Sequence, residues 1–275
     1  MKQPDAESEP GPRGGSRVLR SDVTIPFANP TDSAHPQDDR RAWLIAVAAP
    51  RELDAAINGL GYTGDRPTLW QRIEISSRID LVMTGVSKAN AAGAIGRVLD
   101  PARHRGVLSI GIAGALPGSD CALGDVVVGS ASVFADEGVQ TPDGFETCAQ
   151  MGFGLFDSQA DSGMDSKSDS IAHDSSVVEW LGRYCDHIGP IACVSQCSGT
   201  DAGAQKVVAR TGAIAEAMEG AAIALAAKRI EPTILVGEVR VISNTTGDRA
   251  KQRWALDDAL GTLGKVLGRI ADDLR

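Results

Sequence analysis

The chain reads as a single α/β domain built on a central mixed, mostly parallel sheet with helices on both faces. Three observations predict this. Apolar runs of strand length alternate with amphipathic or Ala-rich helical patterns from residue 41 onward. At 275 residues and 43% hydrophobic, the chain can bury one substantial core. Aromatics are only 4% while Ala and Gly are abundant, which lets helices lie close to a sheet and disfavours an aromatic-rich β-sandwich. One domain is the default at this length, with two small ones the alternative.

The elements follow in order. WLIAVAA (Trp43 to Ala49) is a buried-strand run, followed by a helical pattern from Glu52 to Leu60. IDLVMTGV (Ile79 to Val86) is a second strand, and Lys88 to Leu99 an Ala-rich helix. VLSIGIAGAL and GDVVVGSASVF give two strands in succession. Val177 to Tyr184 reads as helix, PIACVSQCS as strand, and Gln205 to Ala209 as a helical fragment. AIAEAM closes a short strand, EGAAIALAAKRI is helical, ILVGEVRVIS is a strand, and Asp257 to Leu274 is a closing amphipathic helix.

Two segments fall outside this rhythm. Residues 1–40 are rich in Pro, Gly, Ser, Asp and Arg, too polar to offset chain entropy by burial, and are expected to be a disordered tail. The Ser- and Asp-rich stretch of about 154–176 is expected to be a flexible surface insertion in the 41–275 domain, with a lid as the alternative.

Composition also excludes function classes. A formal net charge of -9 argues against a nucleic-acid partner, which calls for a basic face. Five cysteines, an odd number, do not make a disulfide framework and imply a reducing compartment. Cys193 and Cys197 lack partners at zinc spacing, so packing is the better account and no metal or other cofactor is expected. No run reaches the ~20 apolar residues of a membrane span, and the first residues carry no apolar signal core. The expectation is a cytoplasmic protein with a small-molecule partner and no membrane association.

In parallel sheets ligands bind beyond the carboxyl ends of the strands, so residues where apolar runs break into polar ones are the site candidates. They are Pro50-Arg51-Glu52, Gly111-Ile112-Ala113-Gly114, Glu219, and Ser243-Asn244-Thr245-Thr246-Gly247-Asp248. Together they offer carboxylates, a glycine-flanked backbone and an amide, a set suited to a sugar-like substrate. Each also has a plainer account: Glu52 and Glu219 as first-turn helix acids, and Asn244 to Asp248 as an Asx-type turn. GIAG is not a phosphate loop, and GVSKANAAGA lacks dinucleotide-fold spacing.

The strings GVSKANAA, GIAGAL followed by LGDVVVG, EAMEGAAIA and VRVISN occur in an order that resembles the nucleoside phosphorylase and nucleosidase superfamily, on its methylthioadenosine/S-adenosylhomocysteine nucleosidase branch. VFADEGVQTPDGF, CSGTDA and VISNTTGDR are more similar to the futalosine hydrolase family, nucleosidases of the alternative menaquinone biosynthesis pathway. The resemblance covers about residues 41–275 apart from the insertion. It implies a nucleoside phosphorylase-like fold, a homodimer or higher homo-oligomer, and hydrolysis of futalosine to hypoxanthine and dehypoxanthine futalosine. A purine nucleoside phosphorylase and a methylthioadenosine/S-adenosylhomocysteine nucleosidase are the alternatives.

Site roles come with the resemblance. Met218 would pack on the sugar and Glu219 accept hydrogen bonds from the ribose hydroxyls. Glu52 would activate the attacking water, with Arg240 holding water and base. Gly111, Ile112, Ala113 and Gly114 would line the ribose and water site, with Ile112 where methylthioadenosine nucleosidase has a serine. Ser243 and Asn244 would face the purine. Asn244 replaces the aspartate that suits adenine, since an amide can accept from a protonated N7 and donate to a 6-oxo group. A 6-amino group facing that donor would cost ~1–3 kcal/mol, which points to a 6-oxopurine. Asn supplies no proton, leaving water or Asp248, itself also readable as a turn residue paired with Arg249. Phe145 is open between stacking on an aromatic group and anchoring a surface turn, and Thr200 between lining the base pocket and capping a helix.

Overall fold

The computed structural model describes residues 39–155 and 168–274; the expected tail at 1–40 lies almost wholly outside them. The elements run β1 (Ala42–Val47), α1 (Pro50–Leu60), β2 (Arg72–Ser76), β3 (Ile79–Met83), α2 (Lys88–Val98), β4 (His104–Ala115), β5 (Val126–Phe134), β6 (Gly138–Thr141) and β7 (Gly144–Thr147). Then come β8 (Ser170–Ala172), α3 (Ser175–Gly182), β9 (His187–Cys193), α4 (Asp201–Thr211), β10 (Ala215–Ala217), α5 (Gly220–Ile230), β11 (Leu235–Thr245) and α6 (Leu256–Leu274).

The large sheet has the order β10-β9-β5-β11-β4-β1-β3-β2, with β8 added on β5 and β10 also paired to β4. The sheet therefore curls, because β4, β11, β5, β9 and β10 form a closed ring of pairings. β1 is parallel to β3 and β4, β4 to β11, and β9 to β5 and β10; the other pairings are antiparallel, so the sheet is mixed. Helices α1, α3 and α6 cover one face, where Trp43, Leu53, Leu108, Trp180, Leu263 and Leu267 share a core. Helices α2 and α5 cover the other, over Leu44, Val82, Val107 and Val236. Successive side chains of one strand alternate between these two cores, which is why β1 is apolar throughout and most of β4 reads as a continuous run.

Four strands were not anticipated. RIEIS has the strict alternation of an exposed edge and forms β2 against β3. β6 and β7 make a small hairpin across Pro142 and Asp143. β8 corrects the reading of residues 154–176 as an insertion. Ser170, Ile171 and Ala172 pair with Val133, Ser132 and Ala131, so the end of that segment belongs to the sheet. Residues 156–167 of the expected insertion lie outside the described residues.

Candidate active site

Gly111 to Gly114 do not follow β4 as a loop; they lie inside it, in register with β11. Arg240 pairs with Gly111, Val241 with Ile112, Ile242 with Ala113 and Asn244 with Gly114. A bulge falls at Ser243, which shifts Asn244 by one position and turns it onto the face that strict alternation would have denied it.

Glu52 reaches this level from the start of α1. Its Oε2 accepts N–H bonds from Ala48 (3.0 Å) and Ala49 (2.8 Å), and its Oε1 accepts the Ile112 N–H (2.9 Å). The first-turn reading of Glu52 holds, since it caps its own helix, and the same carboxylate reaches across to β4 while 5% exposed. Ile112 thus contributes its backbone, its side chain being packed against the core.

Arg240 is almost wholly buried. Its Nε donates to Glu238 Oε1 (2.8 Å), its Nη2 to Ser109 Oγ (2.8 Å), and its Nη1 lies 3.6 Å from Glu219 Oε2. Gly111 makes this convergence possible. A Cβ there would run into both the Glu52 carboxylate and the Arg240 guanidinium.

Glu219 stands at the start of α5, two residues after β10, which runs antiparallel to β4 from Ala115 and Gly114 back toward Gly111. That reversal carries Glu219 to the level of Arg240; a wholly parallel sheet would have sent it the other way. Its Oε1 accepts the Ser87 N–H (3.2 Å), where Ser87 holds φ at 100° ahead of α2. A positive φ in serine costs on the order of 1–3 kcal/mol, which is consistent with a backbone held in place to meet this carboxylate. Burial raises the pKa of Glu219, Arg240 pulls it down, and Glu52 and Glu238 push it up again, with a net rise. For Arg240 burial works against the charge, but Glu238, Glu219 and Glu52 outweigh it and hold the guanidinium protonated.

Behind Arg240 stands a chain that the sequence did not disclose. Glu238 Oε2 accepts the Ser132 hydroxyl, Ser132 Oγ lies 2.9 Å from His173 Nε2, and His173 Nδ1 lies 2.7 Å from the Gly129 carbonyl. His173 is buried, and burial lowers its pKa. It follows directly after β8, inside the segment read as an insertion, so its place could not have been read from a Ser/Asp-rich stretch.

Asn244 is half-buried. Its Oδ1 accepts from Ser243 Oγ (2.9 Å) and its Nδ2 donates to Thr245 O (3.0 Å), so one lone pair and one N–H of the amide remain for a ligand. Ser243 therefore orients the amide. Asp248 faces elsewhere: its Oδ1 accepts the Ala250 N–H, its Oδ2 pairs with Lys251 at 3.2 Å, and its own N–H is held by Asp201. The geometry gives it to the turn, paired with Lys251 rather than Arg249, whose guanidinium stacks on Trp254.

The remaining candidates divide. Met218 is half-buried and packs beside Leu116, Val194 and Val207. Thr200 caps α4, its Oγ1 accepting from Gly203 N–H (3.0 Å). Phe145, on β7, lies under the Arg210 guanidinium at 4.3 Å, which occupies one ring face. Lys88, beside Ser87, is paired with Asp136 and at 3.2 Å with Glu137. Asp136 also accepts the Ser195 and Gln196 N–H groups, tying the start of α2 to the loop after β9. Cys193 is packed, its thiol pushed up by burial to about 12. Among the described residues no group of His, Cys, Asp and Glu could hold a metal, and no helix is long and apolar enough to cross a membrane.

Residues 71–273 match the model of the phosphorylase superfamily. The chain belongs to that superfamily. It is similar to the futalosine hydrolase of Acidothermus cellulolyticus, with 34% identity over 80% of this chain and 86% of the relative. Similarity to the futalosine hydrolase of Streptomyces coelicolor is 30%, over 83% and 94%. These relatives set the chain among the nucleosidase-type N-glycosyl hydrolases of the superfamily. In fold it is similar to a solved structure of a futalosine hydrolase mutant of Helicobacter pylori, with a TM-score of 0.66, 17% identity, and coverage of 85% of this chain and 100% of that one. The nucleoside phosphorylase-like α/β architecture expected from the sequence is thus the one observed.

Proposed function

We propose that this superfamily member hydrolyses the N-ribosidic bond of futalosine, releasing hypoxanthine and dehypoxanthine futalosine for the alternative menaquinone pathway. The observation that carries the reading is the convergence of Glu52, Arg240 and Glu219 around Gly111, with Asn244 on the same strand as Arg240. Hydrolysis passes through an oxocarbenium-like ribose, so the site must favour positive charge on the sugar and negative charge on the departing purine.

Glu219 accepts the ribose 2'- and 3'-hydroxyls and stabilises the cationic sugar, while Met218 packs on its face. Glu52 takes a proton from water as the water oxygen bonds to C1' and the C1'–N9 pair leaves with the purine. Asn244 accepts from N7–H through Oδ1 and donates to O6 through Nδ2, favouring a 6-oxopurine. With Asp248 committed to its turn, the N7 proton comes from solvent water. Phosphorolysis would call for an available cationic cradle for phosphate. Lys88, the cation next to Ser87, is neutralised by Asp136 and Glu137, which favours water as the nucleophile.

The test is incubation of the purified protein with futalosine, inosine and methylthioadenosine, each with and without phosphate, following free base. Hypoxanthine release from futalosine without phosphate is expected. Strict phosphate dependence, or preferential release of adenine, would overturn the assignment.

A further inference from the structure

Arg240 faces three buried carboxylates, Glu52, Glu219 and Glu238, and one guanidinium cannot balance three negative charges. The relay behind it, from Glu238 through Ser132 to His173, is closely built. A Cβ on Gly129 would lie 2.8 Å from His173 Cε1, and one on Gly220 would run into both Glu238 carboxylate oxygens. The register of β5 against β9 shifts between Gly129 and Ser132, and Ser132, just past the shift, meets both His173 and Glu238.

These contacts require one proton more than a neutral histidine, a serine and an ionised glutamate supply. The Gly129 carbonyl only accepts, so His173 Nδ1 carries a hydrogen. Ser132 Oγ stands between His173 Nε2 (2.9 Å) and Glu238 Oε2, and each contact needs a proton between its heavy atoms. The hydroxyl provides one of the two. When it points to Glu238, Nε2 must carry the other; when it turns to Nε2, Oε2 must carry it. Without that proton two lone pairs would face each other in a place closed to water.

Taking the nucleosidase reading as given, we propose that His173, Ser132 and Glu238 retain one shared proton at neutral pH, which neutralises the His173 and Glu238 pair and lets Glu219 stay ionised for the ribose. An unbalanced Glu238 charge pushes the Glu219 carboxyl toward protonation, and the shared proton removes that push. Burial lowers the His173 pKa, which moves the proton along the relay toward Glu238 rather than out of it, so its titration belongs to the pair. The other charged or titratable groups around the relay are Asp174 and Lys228, paired at 3.4 Å, the Cys193 thiol, and Arg240 and Glu219 beyond Glu238. His173, Ser132 and Glu238 are positioning residues, acting through Arg240 and Glu219.

Two full-length variants fix the two charge states. In Glu238→Gln the amide donates to Ser132 and the hydroxyl to His173, leaving a complete, neutral relay with no proton to lose. In His173→Gln the amide donates to Ser132 and the hydroxyl to Glu238, leaving a complete relay with a permanent negative charge. Above about pH 6.5 an unfolded histidine and glutamate have both lost their protons while the folded relay keeps one, so stability falls as pH rises. From there to about pH 8, wild type should lose up to about tenfold in its folding constant per pH unit relative to either variant, measured by denaturant unfolding. In kcat/KM profiles the acid limb set by Glu219 should coincide in wild type and Glu238→Gln and lie on the order of one pH unit higher in His173→Gln. Parallel stability curves for all three proteins would overturn the shared proton and leave the nucleosidase reading intact. Coincident acid limbs in the two variants would overturn its effect on Glu219. Absence of base release from every nucleoside by wild type would overturn the nucleosidase reading and the role at Glu219, while the stability curves still decide whether the proton is held.

Discussion

Truncating Glu238 isolates the charge behind the candidate site. Glu238 and Arg240 are each about 1% exposed, and Nε donates to Oε1 at 2.8 Å. In Glu238→Ala the guanidinium keeps Ser109 and a 3.6 Å approach to Glu219, but loses its strongest partner. Ser132 loses its acceptor at the same time. Removing one member of a buried ion pair costs about 3–5 kcal/mol. At about 2–4 °C per kcal/mol for a domain of this size, the melting temperature should fall by about 6–20 °C. Glu238→Gln is the control that separates charge from shape. Its Oε1 still accepts from Nε and its NH2 can donate to Ser132, so the loss is confined to charge assistance, about 1–2 kcal/mol. Its melting temperature should stay within about 2–8 °C of wild type. Turnover of Glu238→Ala should drop at least tenfold, because Arg240 is no longer fixed against Glu52 and Glu219, whereas Glu238→Gln should keep most of it. Thermal melts and steady-state release of free base read both effects. A Glu238→Ala protein that melts within 2 °C of wild type and turns over normally would refute the claim that Glu238 holds Arg240.

Gly111→Ala should abolish turnover, since its methyl occupies the gap between Glu52 and Arg240; an overpacking cost of about 1–3 kcal/mol leaves the fold measurable by circular dichroism. Asp248→Ala should leave kcat within about twofold and shift stability by less than ~1 kcal/mol, because only the Lys251 pair and one turn hydrogen bond are lost; a hundredfold fall in kcat would return Asp248 to the chemistry. The pH profile of kcat/KM should show an acid limb above the ordinary glutamate range. Glu219 must be ionised to accept the ribose hydroxyls, and its raised pKa means that charge is lost on acidification before a normal carboxylate would titrate. A profile flat down to pH 4 would contradict this. Asn244→Asp should raise the rate on 6-aminopurine nucleosides relative to 6-oxopurine ones, read as the ratio of adenine to hypoxanthine released.

Much of the site was legible because its residues sit where apolar runs break. Glu52, Glu219, Asn244 and the Gly111 to Gly114 stretch could be picked out as strand ends, although the last lies inside β4, and the elements carrying them fell within a few residues of their observed bounds. Residues that act from inside an apolar run were not. Glu238 in ILVGEVRVIS looks like a polar position on an alternating strand; only the closed ring of strands buries it. His173 was lost for another reason. Its neighbours are Ser and Asp, whose composition signals a loop, while three backbone pairings with β5 are enough to place it in the core.

The deeper difficulty is that periodicity predicts faces and not bulges. Along β11 strict alternation sets Arg240 and Asn244 on the same side as Glu238 and Ile242, and Ser243 on the other. The extra residue at Ser243 breaks that parity. Beyond it Asn244 stands half-exposed beside Gly114, whereas Arg240, before the bulge and on the same side as Glu238, stays among the buried carboxylates. Base selection and charge stabilisation are separate demands, since one asks for a solvent-accessible amide and the other for a sequestered guanidinium. One strand meets both because a single bulge changes its environment between the two. No spacing rule applied to VRVISN yields that division, because the sequence fixes neither the partner strand nor the position at which pairing slips.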